Sequence, residues 1–203
     1  MSTARRVVLI TGAARRVGAA IAQRLHAEAF DLALHCRGAM TDMQALVGSL
    51  EDARSGSTLV LQADLAAFDR LPELVAKTVG HYGRLDGLVN NASAFYPTPM
   101  GMATPAQWDE LFAVNARAPF FLAQAAAPHL RAVHGAIVNI ADIYADKPRA
   151  DLAVYAASKA ALLAVSRGLA VSLAPEVRVN AISPGAILWP EGGIDPDVRA
   201  GLL

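Results

Sequence analysis

The chain predicts an α/β fold in which helices cover both faces of one parallel sheet. Three observations predict it. Short apolar, β-branched runs alternate with longer alanine-rich stretches along the whole sequence of 203 residues. Several of the short runs are almost entirely apolar, which is typical of strands buried on both faces. The stretches between them are long enough for the right-handed crossover helices that make neighbouring strands parallel. The length suits a single domain over residues 1–203 with a sizeable core.

The boundaries of each element follow from where an apolar run starts and from the turn residues that end it. The predicted strands are Arg6–Thr11, Asp31–Cys36, Thr58–Ala63, Gly87–Asn90, Ala136–Ala141 and Arg178–Ile182. The predicted helices are Val17–Ala29, Asp42–Ala53, Phe68–Tyr82, Pro105–Val114, Ala118–Val133 and Leu152–Ala174. After Pro184 the sequence predicts a loop, with a short helix at Val198–Leu203.

Composition narrows the function classes. Eighteen basic and 18 acidic residues give a formal net charge of zero, which does not favour nucleic-acid or membrane binding. Apolar runs fall short of the roughly 18 residues that a membrane span needs. A single cysteine, Cys36, excludes an internal disulfide and favours a reducing, cytoplasmic location. The five histidines lack metal-ligand spacing, so we expect no metal.

The first strand leads into a glycine-containing turn, Thr11–Gly18, before the first helix. Glycines at this place let backbone N–H groups and the positive end of the helix dipole approach a pyrophosphate. We therefore expect Gly12 and Gly18 to bind a dinucleotide. The Gly-x5-Gly spacing differs from the Gly-x-Gly-x-x-Gly fingerprint, so an ordinary turn is the alternative.

The second strand ends at His35 and Arg37 without an acidic residue at its tip. An acid there binds the ribose 2′-hydroxyl of NAD, whereas arginine accommodates the 2′-phosphate of NADP. Arg37, with Arg15 or Arg16 of the first turn, therefore predicts NADPH as the cofactor, and we count His35 among the residues that bind it. The alternative is that the arginines are solvated loop residues.

Polar and small residues also follow the third and fourth strands. Asp64, next to Leu65, is placed to accept from the adenine amino group, although a helix N-cap is the alternative. After the fourth strand come Asn91 and Ala92. A small residue there lets the backbone approach the cofactor, and asparagine side chains hydrogen-bond neighbouring strands.

The segment from the fifth strand into the last long helix carries the strongest chemical signal. Asp142 lies where the fifth strand ends, and the i, i+4 spacing of Tyr155 and Lys159 places both on one helix face. An ammonium beside a phenol lowers the phenol pKa and makes it a usable proton donor near neutral pH. Asn115 is placed to hold a water beside Lys159, with a structural role in the core as the alternative. We expect these four residues to form the catalytic group.

Taken together, these motifs resemble the short-chain dehydrogenase/reductase family over nearly the whole chain. The resemblance implies a Rossmann-type sheet in the strand order 3-2-1-4-5-6, NAD(P) binding, and hydride transfer with Tyr155 as proton donor. It assigns Lys159 to the nicotinamide ribose and Asn115 to a proton-relay water. The residues that carry it are Thr11, Gly12, Arg16, Gly18, Asp64, Asn90–Ala92, Asn115, Tyr155, Lys159, Pro184 and Gly185, the last two also as cofactor contacts.

Within that family the sequence is similar to the pteridine reductases. Most members carry serine at the position of Asp142, whereas pteridine reductases carry aspartate. The resemblance implies that Phe95 stacks on a pterin and that Ser93 and Arg16 bind the pterin edge and the cofactor phosphates. Trp189 would line the far side of the pocket or cover the core. The matching segments are Thr11–Gly18, Leu34–Arg37, Asn91–Pro99 and Val179–Trp189.

The chemistry of a pterin substrate supports Asp142 independently. Reduction of a dihydropterin C=N bond needs a proton at the ring nitrogen as hydride arrives at carbon, and an Asp142–Tyr155 pair can pass that proton. Phe95 supplies a planar platform, unless it is an ordinary core residue. We expect NADPH-dependent reduction of dihydrobiopterin- or dihydrofolate-like substrates. The alternatives are a carbonyl reductase of the 3-oxoacyl thioester type and a truncated, inactive nucleotide-binding protein.

The resemblance also implies elements and contacts beyond one subunit. Family members continue into a substrate-covering helix pair and a seventh strand, which these 203 residues lack, so we expect a C-terminally truncated member. The alanine-rich helices Ala118–Val133 and Leu152–Ala174 are suited to packing across a homo-oligomer, dimer or tetramer, or equally within one subunit.

Overall fold

The computed structural model describes residues 5–185 and residue 187. The expectations for Trp189 and for a helix at Val198–Leu203 lie outside the described residues. Six parallel strands form one sheet in the order β3-β2-β1-β4-β5-β6, which confirms the predicted fold. The strands are β1 Val7–Ile10, β2 Asp31–Cys36, β3 Thr58–Gln62, β4 Gly87–Asn90, β5 Ala136–Ile140 and β6 Arg178–Ile182.

Six α-helices connect the strands at nearly the predicted positions. The predicted helix at 68–82 divides into a 3₁₀ turn and a helix, because Pro72 suits the first turn of a new helix. A capping box between Thr104 and Gln107 starts the fourth helix, which ends at Phe112 and continues as a π-helical turn, Ala113–Arg117. The helices are α1 Arg16–Ala27, α2 Met40–Ala53, α3 Leu71–Tyr82, α4 Pro105–Phe112, α5 Ala118–Ala132 and α6 Ala153–Leu173.

Two hydrophobic clusters fill the two sides of the sheet. In β1, Val8 and Ile10 pack with the buried residues of α1 and α2. The alternate residues, Val7 and Leu9, pack with those of α3, α5 and the end of α6. Because successive side chains of a strand point to opposite faces, this alternation confirms that helices cover both faces.

Helix α6 alone among the described elements has the length and mean hydropathy of a membrane span. By position it is a helix of the core, because it packs beside β6 and contributes Leu162 and Leu169 to the buried residues. Its first turns also carry Tyr155 and Lys159, both buried.

The strand order determines at which edge of the sheet the candidate site lies. The order reverses between β1 and β4, and open parallel sheets bind ligands at such a switch point, beyond the carboxyl ends of the strands. Every segment with a predicted site residue on a loop follows a strand and therefore lies at this edge. Across residues 5–185, three or more His, Cys, Asp or Glu side chains never come together in a group that could bind a metal ion.

Candidate active site

The glycine turn after β1 is closed so tightly that side chains are excluded. Gly12 has φ +63°, and a Cβ there would lie 2.8 Å from the Ala92 Cα. A Cβ on Gly18 would overlap the Gly12 carbonyl oxygen and lie 2.6 Å from the Asn91 Nδ2. The small residue at position 92 therefore lets its backbone lie against the glycine turn, and the expected approach to the cofactor stays a prediction.

Hydrogen bonds from β4 hold that turn. The Asn91 Nδ2 donates to the carbonyl oxygens of Thr11 (3.0 Å) and Gly12 (2.9 Å). The Thr11 hydroxyl oxygen accepts from the backbone N–H groups of Asn91 (3.0 Å) and Ala92 (3.1 Å). These bonds confirm that an asparagine after β4 links neighbouring strands, and they assign Thr11 a role that the sequence did not predict.

The N-terminus of α1 is open to an anion. The helix has no side-chain N-cap and no acidic residue in its first turn, so its first N–H groups and its dipole face the end of the sheet unopposed by a carboxylate of α1. Arg16, the first residue of α1, has φ +51°, a left-handed conformation that costs a non-glycine residue about 1–3 kcal/mol. Such strain is frequent at ligand sites and agrees with the expectation for Arg16. These features fit a pyrophosphate.

The other two predicted arginines bind carboxylates. Arg15 bonds Asp42 of α2, with its Nε and Nη2 each 2.6 Å from the Oδ2. Arg37 at the tip of β2 extends toward Glu110 of α4, with 3.8 Å between Nη1 and Oε1. The Arg37 side chain is 68% exposed, so the pair is loose and the guanidinium is accessible to an anion. Arg37 therefore remains the better candidate for the 2′-phosphate.

Three further predicted cofactor residues act within the protein. The His35 ring is buried beneath the glycine turn and contacts the turn itself. The Leu65 side chain belongs to the core, so only its backbone is available at the surface. The Asp64 Oδ1 accepts from the Ala66 N–H (2.9 Å), which is a local turn contact. The N-caps of the 3₁₀ helix and of α3 are Ala67 and Arg70, so the helix N-cap alternative for Asp64 is wrong and its adenine contact stays a prediction.

The predicted pair at the end of β5 is formed. The Tyr155 hydroxyl donates to the Asp142 Oδ2 at 2.7 Å. The Asp142 Oδ1 accepts from the Tyr144 N–H at 2.9 Å, which caps the 3₁₀ turn Ile143–Ala145. Both carboxylate oxygens are thus oriented, one by the main chain and one by the phenol.

The pKa of Tyr155 is raised, opposite to the expected direction. Burial is the main cause, and the hydrogen bond and the charge of Asp142 add to it, while the neighbouring Ser93 hydroxyl offsets a part. The expected lowering by Lys159 is wrong, because its Nζ donates to the Ile140 carbonyl (2.9 Å) and lies 5.9 Å from the Tyr155 ring centre. Burial lowers the pKa of Lys159 to about 8 against the opposing effect of Asp142. At neutral pH the phenol is protonated and Lys159 is mostly charged.

Asn115 has a structural role. The side chain is fully buried in the π-helical turn, and its Nδ2 donates to the Ala94 carbonyl and to the Ser158 Oγ, both at 2.9 Å. Its Oδ1 accepts from the Ala94 N–H at 2.9 Å. The side-chain amide therefore binds protein atoms, which matches the core role that the sequence left as the alternative.

Phe95 stands beside the phenol at the open side of the site. Its ring is 4.7 Å from the Tyr155 ring, edge to face at 84°, and the side chain is 54% exposed. The alternative of a core phenylalanine is therefore wrong. The Ser93 hydroxyl donates to the Asn115 Oδ1 at 3.1 Å, within the same loop. An exposed aromatic ring thus lies next to the buried phenol of Tyr155, which suits a flat polar ring.

Two residues that support the site, Asn139 and Ser166, were missed in the sequence. The Asn90 Nδ2 donates to the Asn139 Oδ1, and the Asn139 Nδ2 donates to the Ser166 Oγ, each at 2.8 Å. These two bonds connect β4, β5 and α6 below the site. The signal was a polar residue inside the apolar run of β5. Of the two predicted residues after β6, the Pro184 carbonyl accepts from the Ile143 N–H (3.0 Å) and Gly185 is exposed.

Comparison with known proteins agrees with this architecture. Pteridine reductase 1 of Leishmania tarentolae is 34% identical over 224 aligned residues, which cover 91% of this chain and 78% of the relative. Granaticin polyketide synthase putative ketoacyl reductase 2 of Streptomyces violaceoruber is 36% identical over 188 residues, with 91% and 74% covered. The 3-oxoacyl-(acyl-carrier-protein) reductase FabG of Staphylococcus aureus is 30% identical over 182 residues, with 89% and 74% covered.

The family assignment rests on sequence and fold together. The family model of the short-chain dehydrogenases matches residues 6–191, nearly the whole chain. The strand order is the one that the resemblance implied. The chain therefore belongs to the short-chain dehydrogenase/reductase family of oxidoreductases.

Proposed function

We propose that this protein is an NADPH-dependent reductase of dihydropteridines of the dihydrobiopterin or dihydrofolate kind. The observation that carries the proposal is the hydrogen bond between the Tyr155 hydroxyl and the Asp142 carboxylate. The similarity to a pteridine reductase supports it. NADPH would supply the hydride, held by the N-terminus of α1, the glycine turn and Arg37.

The chain's own residues would supply the proton. Reduction of a C=N bond forms a C–H bond from hydride and an N–H bond from a proton. The raised pKa of Tyr155 keeps the phenol protonated at neutral pH, so it can deliver a proton to the ring nitrogen. Asp142 holds the phenol in place and accepts hydrogen bonds from the amino and N–H groups at a pterin edge. Lys159, charged and buried, compensates the charge of Asp142.

Phe95 would orient the substrate. Its exposed ring is the planar apolar surface at the mouth of the site, and aromatic rings stack at offsets that leave the polar edges free. Ser93 and Arg16 would contact those edges or the cofactor phosphates.

A carbonyl reductase acting on 3-oxoacyl thioesters is the second candidate, favoured by the two ketoacyl reductases among the relatives. The two proposals differ at Asp142. A ketone oxygen needs donors only, and a carboxylate next to it offers none.

Asp142→Asn separates these proposals. The substitution keeps the shape and the contact with the Tyr144 N–H but removes the charge that binds the phenol. We expect kcat/KM for dihydrobiopterin to fall about 10²–10⁴-fold, as for loss of a general acid–base group, with turnover of acetoacetyl thioester unchanged or higher. Asp146→Asn is the matched control, because Asp146 is exposed four residues further on.

NADPH oxidation is followed in both variants and in the wild type with each substrate. Wild-type turnover of the thioester but not of the pterin would reject the pteridine proposal. Nucleotide binding without turnover of either substrate would indicate a binding protein. An unchanged pterin rate in Asp142→Asn would remove Asp142 from the mechanism.

We further propose a homo-oligomer through α5 and α6 and a cytoplasmic location. The outer faces of these helices expose Phe120, the small residue Ala164 and Val171, which is 82% exposed. Small side chains let two such helices pack closely across an interface.

A further inference from the structure

We propose that His35 is a positioning residue whose neutral Nε2–H tautomer holds the glycine turn in its nucleotide-binding shape, so that protonation of His35 releases the nucleotide. The inference rests on the proposal that this turn binds a dinucleotide. It does not depend on the choice of substrate.

The His35 ring joins three strands at the switch point. His35 lies near the end of β2, with a side chain only 1% exposed. The backbone N–H of Gly12 donates to its Nδ1 at 3.3 Å. On the other side of the ring, the Nε2 lies 3.1 Å from the Ala63 carbonyl oxygen, just after β3. One imidazole therefore connects the turn after β1 to the ends of β2 and β3.

The partners fix the tautomer. A backbone N–H can only donate, so the Nδ1 must carry a lone pair. A carbonyl oxygen can only accept, so the Nε2 must carry the proton. Both bonds therefore require the neutral Nε2–H form. In the imidazolium the Nδ1 also carries a proton, so two donors, the Nδ1–H and the Gly12 N–H, would face each other without an acceptor between them.

The bond determines where the phosphate-binding groups lie. The Ala13 N–H also donates to the His35 carbonyl oxygen, at 2.9 Å, so the first two N–H groups after Thr11 are bound to β2. The chain then turns at Gly12 and enters α1, whose N-terminal N–H groups face the ligand edge. If the Nδ1 bond is lost, the Gly12 carbonyl still accepts from the Asn91 amide but the Gly12 N–H is no longer fixed to β2, and the start of α1 is freer to move.

The electrostatic surroundings favour the neutral ring. Burial lowers the pKa of His35, and this effect exceeds the hydrogen bond from Ala63 and the charge of Asp64, which favour protonation. The charged groups of the packed elements are Asp64 after β3, Arg15 bound to Asp42, Arg16 at the start of α1, and Arg37 near Glu110 at the tip of β2.

The test is equilibrium binding of ADP-ribose by calorimetry between pH 8 and pH 5, at pH values where circular dichroism shows folded protein. ADP-ribose carries the pyrophosphate but not the 2′-phosphate of NADPH, whose own ionisation near pH 6 would overlap. We expect constant affinity down to pH 6.5. Because burial lowers the pKa of His35 from that ordinary value, the loss should begin only below pH 6.5 and steepen toward a limit of about tenfold per pH unit.

Two variants separate the two bonds. His35→Asn retains an acceptor near the Nδ1 position, and we expect affinity within about threefold of the wild type at pH 8 and little change down to pH 5. His35→Gln retains a donor near the Nε2 position but no acceptor for Gly12, and we expect weaker binding at every pH. His129→Asn, on a half-buried histidine of α5, is the matched control and should keep the wild-type pH profile.

The outcomes are distinct. A wild-type affinity that stays constant to pH 5, or the same pH loss in His35→Asn, would overturn the role of His35 and leave the proposed function intact. Failure of both ADP-ribose and NADPH to bind at pH 8 would overturn both.

Discussion

Replacing Gly18 with alanine tests the packing of the phosphate-binding turn, with Gly48→Ala as the opposite case. Both glycines lie in helices, Gly18 in the first turn of α1 and Gly48 inside α2. A Cβ at residue 18 would overlap the Gly12 carbonyl oxygen and crowd the Asn91 amide, whereas a Cβ at residue 48 meets no atom within 4 Å. The same chemical change therefore has opposite expected effects at the two positions.

The magnitudes follow from these contacts. Overpacking against fixed backbone costs about 1–3 kcal/mol. Alanine in place of glycine inside a helix raises the free energy of unfolding by about 0.5–1 kcal/mol. We expect Gly18→Ala to lower the free energy of unfolding by about 1–2 kcal/mol, and Gly48→Ala to raise it by about 0.5–1 kcal/mol. Because the turn must open, we also expect Gly18→Ala to lose at least about tenfold in nucleotide affinity.

Urea unfolding and calorimetric titration with NADPH measure the two effects separately. If Gly18→Ala were as stable as the wild type and bound NADPH equally well, the turn would not be closed as described. A loss of affinity in Gly48→Ala would show that the assay responds to general perturbation.

Three further predictions concern charge and assembly. Arg37→Ala should weaken binding of NADPH at least about tenfold more than binding of NADH, because only NADPH carries the 2′-phosphate. The control is Arg24→Ala, which removes an exposed arginine paired with Glu28. Equal losses of affinity for both nucleotides in Arg37→Ala would refute the role of Arg37. Burial and Arg54 lower the pKa of His26 below its unfolded value of 6.5, so the unfolded chain binds protons more readily and stability should fall as pH drops below 6.5. His26→Gln, which keeps a donor for the Ser57 Oγ, should flatten that part of the urea-midpoint profile, and an unchanged slope would contradict it. Ala164→Glu on α6 should shift the mass measured by light scattering toward that of the monomer, whereas Ala45→Glu on α2 should not. A monomeric mass for the wild-type protein would contradict the proposed homo-oligomer.

The sequence predicted elements that depend on local pattern and missed those that depend on distant partners. Three strands, β2, β4 and β6, have the predicted boundaries, because each is an apolar run with turn residues at its ends. The residues at the strand ends were found for the same reason, since parallel strands bring their carboxyl ends together. The position of Lys159 next to Tyr155 was also found, but not the partner of its Nζ, which is the carbonyl of Ile140 on another element.

The arginines and His35 illustrate the same limit. Their residue types are those expected of a cofactor site, yet Arg15 binds Asp42 and the His35 ring is buried under the turn. A side chain's partner across 23 or 27 residues depends on how α2 and β2 pack against the turn, which a local pattern does not contain.

The identity of residue 142 sets the direction of the hydrogen bond at the phenol. A serine hydroxyl could cap the Ile143–Ala145 turn with its oxygen and still donate its proton, so it would add a second donor for a carbonyl oxygen. Asp142 has two oxygens that only accept, one occupied by the Tyr144 N–H and one by the Tyr155 hydroxyl. The pair then carries a negative charge and one shared proton in place of two donors. A ring that brings its own N–H and amino groups and needs a proton at one nitrogen complements that charge, whereas a ketone does not. The proposed substrate class therefore depends on the 2.7 Å hydrogen bond between the Tyr155 hydroxyl and the Asp142 carboxylate.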